Sequence, residues 1–444
     1  MKKLVFIFFI FICFNSYIFA EDPINEDDLF SNPDLIITTD KNEDKVASDN
    51  KIKEEEEKKT VDFSGEIIGA SDYTLSRDKD KKDNSLSSSV LADFFLDVRL
   101  KKGTKYFANL EILNNSQIKN KDSDFLFSIK ESFIDFNIKD SVYFRTGKQV
   151  LQWGRCYLWN PSDVINVEKK TFIQKLGLRE GTYGIKFHKP YGTKYNIYGF
   201  IDTKNATDTN ELGFAGKYEF ILGKTEMSFS GWNKKGFAPV YSYDFSSRFF
   251  GIDTKGEAAF SYGDNYNHIK TENGELSKYK EKDKWIPRAS MNFGKQFDFM
   301  EVNDRISVNM EFYYNHTGLT ENIFKDKNIY TFIGEFDSTG KQKTGTKKDY
   351  LLNNDLYEAN NLSRYYAALF TSFNKFIISD MILTFNLISN LNDSSYIATT
   401  GVNYKDINDF SLGFNVYSYI GKTDREYTFS NNLIATRLYV GVVF

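Results

Sequence analysis

The chain carries few of the side chains that do covalent chemistry. It has three histidines, His188, His268 and His316, and two cysteines, Cys13 and Cys156. A serine hydrolase would need serine, histidine and an orienting acid or amide brought together. Here His188 falls beside a predicted turn, His268 in a polar connector expected to be mobile, and His316 at the end of a predicted strand. No Cys or His cluster has metal-ligand spacing, and no glycine-rich loop could cradle a phosphate. The expectation is no enzyme, no metal and no cofactor.

What the sequence does hold is charge placed in strict alternation with apolar residues. In Ala92–Leu100, the positions Ala92, Phe94, Leu96, Val98 and Leu100 form an apolar face, and Asp93, Asp97 and Arg99 a charged one. Ile306, Val308, Met310, Phe312 and Tyr314 alternate with Ser307, Asn309, Glu311 and Tyr313 in the same way, as do Phe410, Leu412, Phe414 and Val416 with Ser411, Gly413, Asn415 and Tyr417. Parity then puts Asp93, Asp97, Arg99, Asn109, Glu111, Glu131, Asp135, Arg145, Lys217, Glu219, Glu311, Arg364 and Arg437 opposite apolar faces. Unpaired ions do not survive in a dry interior, so these residues imply a hydrated lumen or a network of ion pairs. With Lys139-Asp140-Ser141 as a three-residue turn, Asp135 lies directly across from Arg145.

The elements that must position them are strands. Alternation over about 9–11 residues is the length of a tilted membrane-crossing strand, and the pattern repeats without a helical period between. The composition agrees: 17% of residues are aromatic, with 42 Phe and 28 Tyr, while 27% are charged. Each strand of a transmembrane barrel shows one face to lipid and one to a polar lumen, which needs that mixture. Short connectors (Lys102-Gly103-Thr104, Lys139-Asp140-Ser141, Pro190-Tyr191-Gly192, Leu222-Gly223-Lys224) alternate with long polar ones near 75–87, 151–179, 263–282 and 317–360. The fold class expected is all-β: a transmembrane antiparallel up-and-down β-barrel of about 18 strands, with 16 as the alternative. Reaching 18 requires Arg248–Gly263 to split, and Asp253-Thr254-Lys255-Gly256 is the expected turn.

Ahead of the barrel (61–444) two segments differ. Residues 1–20 read as a signal peptide, with Lys2 and Lys3 before the apolar run Leu4–Ile12, which is too short for a spanning helix. A lipidated Cys13 is the alternative, disfavoured by bulky Ile12. Residues 21–60 are an acidic, lysine-rich linker that cannot bury enough apolar surface to order itself. Loss of Cys13 with the signal leaves Cys156 without a disulfide partner. The formal net charge of −4 points away from nucleic acid.

Two stretches carry a family resemblance. The last residues, Leu438-Tyr439-Val440-Gly441-Val442-Val443-Phe444, resemble the C-terminal strand signature of outer-membrane proteins, which makes Leu438, Val440, Val442 and Phe444 the expected signal for the barrel-assembly machinery. Gly147–Asn166 resembles the G-[RK]-Q-x-x-x-W-G…P-x-D-x-x-N pattern of porin-like and polysaccharide-export-like outer-membrane barrels; it follows the fifth strand and would be the third outer loop. In general porins that loop folds inward. The resemblance implies a porin-like channel for small hydrophilic solutes in the outer membrane, with residues 151–179 as the constriction. Arg145, Gln149, Trp153, Arg155, Trp159, Asp163, Glu168 and Lys169 would line it, with Asp93, Asp97, Arg99, Glu131 and Asp135 on the wall. Trp153 and Trp159 would either fasten the loop to the wall or stack on a sugar face. The expected partners are outer-membrane lipid, the assembly machinery and the solute; a homotrimer and a monomer both stay open. A surface barrel that acts through its outer loops, as adhesin or antigen, is the alternative.

Overall fold

The computed structural model describes residues 60–76, 84–100, 103–116, 125–163, 165, 181–407 and 410–444. The signal peptide, nearly all of the linker, Glu168 and Lys169 lie outside the described residues. The strands begin with β1 (Thr60–Ser76), β2 (Asn84–Arg99), β3 (Lys105–Asn115), β4 (Phe125–Ile138) and β5 (Val142–Gln149). Next come β6 (Thr182–Tyr191), β7 (Tyr195–Asp202), β8 (Gly213–Leu222), β9 (Thr225–Asn233), β10 (Val240–Phe249) and β11 (Ile252–Tyr262). Two short strands, β12 (His268–Glu272) and β13 (Glu275–Tyr279), precede β14 (Trp285–Phe299) and β15 (Val302–Asn315). Two more, β16 (Tyr330–Phe336) and β17 (Gln342–Gly345), precede a helix, α1 (Lys347–Asn353). The last five are β18 (Tyr365–Phe373), β19 (Met381–Asn390), β20 (Ser395–Ile407), β21 (Phe410–Ile420) and β22 (Asn432–Val443).

Setting the four short strands aside, every strand pairs antiparallel with its sequence neighbour, giving an 18-stranded sheet. β22 then pairs with β1 and closes it. The seam is sealed by reciprocal backbone bonds, Gly65 N–H to Phe444 O at 2.9 Å and Phe444 N–H to Gly65 O at 3.0 Å. Gly65 is required there: a Cβ on it would lie 2.7 Å from Phe444 Cζ. The Phe444 ring instead sits beside Phe63 and Phe94, at centroid distances of 6.2 and 6.3 Å.

The alternation translates directly into two faces. On β15, Met310 and Phe312 are exposed, whereas Ser307, Glu311 and Tyr313 are buried. On β8, Phe214 and Tyr218 are exposed and Lys217 and Glu219 buried. The outward band of Phe, Tyr, Leu and Ile is the lipid face of a transmembrane barrel, and the polar face looks inward.

The β10–β11 turn falls elsewhere than the sequence suggested. It is made by Phe250 and Gly251, both left-handed at φ 51° and 73°, the backbone that a two-residue hairpin with the right twist demands. Asp253-Thr254-Lys255-Gly256 lies inside β11. Its glycine serves a close approach, since a Cβ at Gly256 would come 2.4 Å from the Phe245 ring. Arg364 also sits differently, ahead of β18, with its N–H donating to Leu319 O at 3.1 Å.

Two of the expected polar loops are folded. β12 pairs with β13, β13 runs parallel to β16, and β16 pairs with β17. Leu276, Phe332 and Tyr350 form a buried core beneath them. A capping box of Thr346 and Asp349 starts α1. His268 is part of this structure, with Nε2 2.9 Å from Asp264 Oδ2. These apolar residues are scattered among lysines and aspartates, so no periodicity announces them.

Facing predicts an asymmetry. Met310→Arg, mid-strand on the lipid face, should cost about 2–4 kcal/mol, while inward Asn309→Ser should cost little. Urea midpoints of the barrel refolded in vesicles would measure both; equal midpoints would refute the facing.

Candidate functional site

The segment after β5 does not leave the barrel as a free loop. Gln149 is fully buried, its Nε2 donating to Gly184 O at 3.2 Å. The Val150 N–H donates to Glu131 Oε1 at 2.8 Å. Leu151 and Trp153 then pack on Tyr198 and Phe200 of β7, and Lys217 Nζ donates to Trp153 O at 3.1 Å.

Arg155 follows. Its Nη2 donates to Glu219 at 2.6 Å, its Nη1 to Glu226 at 2.7 Å, and its Nε to Asp244. One guanidinium thus ties the loop to β8, β9 and β10. Burial opposes its charge, but Glu226, Asp244 and Glu219 more than offset that and raise its pKa above the ordinary arginine value. Arg155 was expected to project towards solute; it is instead a tether, because its Nε, Nη1 and Nη2 each donate to an inward carboxylate.

Two further carboxylates hold the loop by its backbone. Glu257 of β11 accepts the N–H groups of Arg155 and Cys156, each at 2.6 Å, and the Ser162 hydroxyl at 2.6 Å. Glu311 of β15 accepts the N–H groups of Tyr157 at 2.8 Å, Leu158 at 3.1 Å and Trp159 at 2.6 Å. Bonds from backbone N–H to a carboxylate are charge-assisted and stronger than neutral ones. Gly154 permits the approach, since a Cβ there would lie 2.9 Å from Glu257 Oε2 and 2.5 Å from Asn160 Cβ. Burial, with Glu257 and Glu311 nearby, pushes the Cys156 thiol up, so it stays protonated and unreactive.

The loop then reaches the far wall. Trp159 stacks on Tyr313 at 5.5 Å and 5°, and its Nε1 donates to Asn360 O at 2.8 Å. Trp153 and Trp159 are both buried, which is the fastening geometry and leaves no ring face for a sugar. Asp163 follows Pro161 with its N–H on Asn160 O at 3.0 Å.

The other wall residues named from the sequence form pairs. Arg145 grips Asp135 with two bonds, of 2.7 and 2.9 Å, across β4–β5. Asp97 meets Lys105 at 3.1 Å and Arg99 at 3.3 Å. Asp93 is buried on the inward face of β2. Glu226, Asp244 and Glu257 were missed, although the same parity argument on β9, β10 and β11 would have found them. A polar, open cavity of about 370 Å³ borders the tether on the short-turn side, lined by Glu226, Arg248, Lys255, Asn292 and Asn309.

A buried latch holds the last loop (421–431). Glu426 accepts from Tyr366 Oη at 2.7 Å, Asn390 Nδ2 at 2.6 Å and Asn360 N–H at 3.1 Å. Burial is the main cause that pushes its pKa up to about 8.

No protein-family model matches the chain, and no curated protein matches it in sequence. Among solved structures it is similar to a BenF-like porin from Pseudomonas fluorescens Pf-5, at 8% identity and a TM-score of 0.53, over 86% of this chain and 98% of that one. It is also similar to OccK9 of Pseudomonas aeruginosa, at 6% identity and a TM-score of 0.51, over 86% and 98%. At such identities the likeness is one of fold.

Arg155→Met would remove the cation shared by three inward carboxylates and should cost about 3–5 kcal/mol, read as a lower urea midpoint; an unchanged midpoint would rule out the tether. Glu426 gives a pH signature. Its folded pKa lies above the unfolded one, so the folded state holds the extra proton and stability falls as pH rises from about 4.5 to about 8. The urea midpoint should drop across that window in the natural chain, and by less in Glu426→Gln.

Proposed function

We propose that the chain is a porin-type channel of the outer membrane, passing small hydrophilic solutes by passive diffusion, with the loop after β5 as its constriction. The observation that supports this best is the tethering of residues 150–163 to inward side chains from β4 to β18. A loop so held occupies part of the cross-section and cannot swing out without breaking several charge-assisted bonds. Eighteen strands enclose more than side chains alone can fill, so the remaining lumen is wet. Arg145, Gln149, Trp153, Arg155, Trp159, Asp163, Glu168 and Lys169 belong to the constriction in this reading. Asp93, Asp97, Arg99, Glu131 and Asp135 face it from the wall, where charged side chains set ion preference. No energy source is needed. Leu438, Val440, Val442 and Phe444 present the outward face that the assembly machinery would read.

A second reading is favoured by one observation. The sheet of β12, β13, β16 and β17 has its own core, more structure than a loop needs merely to connect strands. It would serve a surface-binding role, which can coexist with passage.

Residues 21–444, refolded into a planar bilayer, should give discrete conductance steps, and a variant shortened within 155–175 should give larger ones. Silence from both, with circular dichroism showing an intact barrel, would reject the channel.

A further inference from the structure

Three lysines of the wall each reach an acid. Lys105 meets Asp97 at 3.1 Å, Lys130 meets Glu111 at 3.1 Å and Lys217 meets Glu219 at 3.4 Å. Lys255 departs from that pattern. It stands on the inward face of β11, and its cross-strand neighbours are Ser246 on β10 and Asn292 on β14, both uncharged. Its ammonium has no hydrogen-bond or ion-pair partner among the described residues, and neither has that of Lys224 at the β8–β9 turn.

Both lysines line the open cavity of about 370 Å³ on the short-turn side of the tether. The two acids that line it are engaged by arginines. Glu226 holds Arg155 at 2.7 Å, and Asp253 accepts two bonds from Arg248, of 2.6 and 3.1 Å. The Asn292 amide donates to Glu311 at 3.2 Å. What remains facing the cavity is a set of donors: the two ammonium groups, the Ser246 hydroxyl and the Asn309 amide, none with a partner among the described residues. Lys224 is exposed, and Lys255, Ser246 and Asn309 are half-buried, so a solute in the lumen reaches them. Gly294, between Asp253 and Asn309 across the sheet, leaves the wall bare there. A Cβ on it would come 2.6 Å from Asn309 Oδ1.

An ammonium donates and cannot accept, and its bonds to carboxylate or phosphate oxygens are charge-assisted. Two of them in one recess raise the local concentration of anions. We infer that Lys224, Ser246, Lys255 and Asn309 form a binding site for a small solute bearing a carboxylate or phosphate group, on the short-turn side of the constriction. This rests on the channel reading and deepens it: a solute that has passed the tethered loop meets Lys255, then Lys224 nearer the rim. Two flexible lysines hold an anion weakly enough to let it leave, as conduction requires.

The test is block of the chloride current through residues 21–444 in a planar bilayer, with sodium succinate or inorganic phosphate added to each side in turn. Added from one side, the anion should lower the current along a saturating curve. Lys255→Gln and Lys224→Gln should each raise the half-blocking concentration several-fold, and the double variant should abolish block. Lys139→Gln, which removes the same charge at the β4–β5 turn, should leave block unchanged. Circular dichroism and heat-modifiable migration in gels would establish that each variant is folded. Block by succinate alone would make the recognised group a carboxylate, and block by phosphate alone a phosphate; each supports the site. Conductance without block by either anion, block unchanged in both lysine variants, or an equal loss in Lys139→Gln would overturn the site and leave the channel standing. No conductance in the folded natural chain would overturn the channel, and the site with it.

Discussion

A backbone that crosses hydrocarbon must satisfy each of its own N–H and C=O groups, because no water is there to do it. Everything else in this molecule follows from the way a sheet meets that demand, by leaving no edge. The meeting of β22 with β1 therefore matters more than any other pairing. The chain invests a glycine at Gly65 and its terminal Phe444 in that seam, and the aromatic ring lies where a Cβ would otherwise stand. Once the ring of strands closes, alternate residues have only two destinations, lipid or lumen.

Closure also creates the problem that the third loop addresses. A ring of 18 strands is too wide for opposite side chains to touch, so the inward carboxylates of β8–β11 and β15 draw on the loop as well as on wall neighbours such as Lys217 and Asn292. Arg155 and the amides of Arg155–Trp159 are what the loop contributes. The interaction runs both ways: the loop neutralises acids that would otherwise repel one another, and the acids fix a segment with no regular hydrogen-bonding pattern of its own. The aromatic contacts of Trp153 and Trp159 at either end keep this polar network dry enough to be strong.

The opposite arc of the wall behaves differently. Glu66, Asp93 and Glu111 stand opposed, and the described part of the loop lies against other strands. The same parity rule builds the pairs Asp135–Arg145 and Asp72–Arg437, and here Lys130 meets Glu111.

The sequence by itself determined the barrel, its facing and almost all of its strand order, because the side-chain period of two is local and the membrane enforces it along every strand. It also determined the Asp135–Arg145 pair, since a three-residue turn fixes the register of the strands it joins. Tertiary structure decided what depends on residues far apart in sequence. That Arg155 would be a tether followed from Glu219, Glu226 and Asp244 arriving from separate strands, and no local pattern encodes their convergence. The β10–β11 turn fell at Phe250 and Gly251, which take left-handed backbone, leaving Gly256 inside β11 against the Phe245 ring. The folded outer sheet depended on Leu276 meeting Phe332 and Tyr350 across two loops. Local alternation is legible in one dimension; the closing of distance between strands is not.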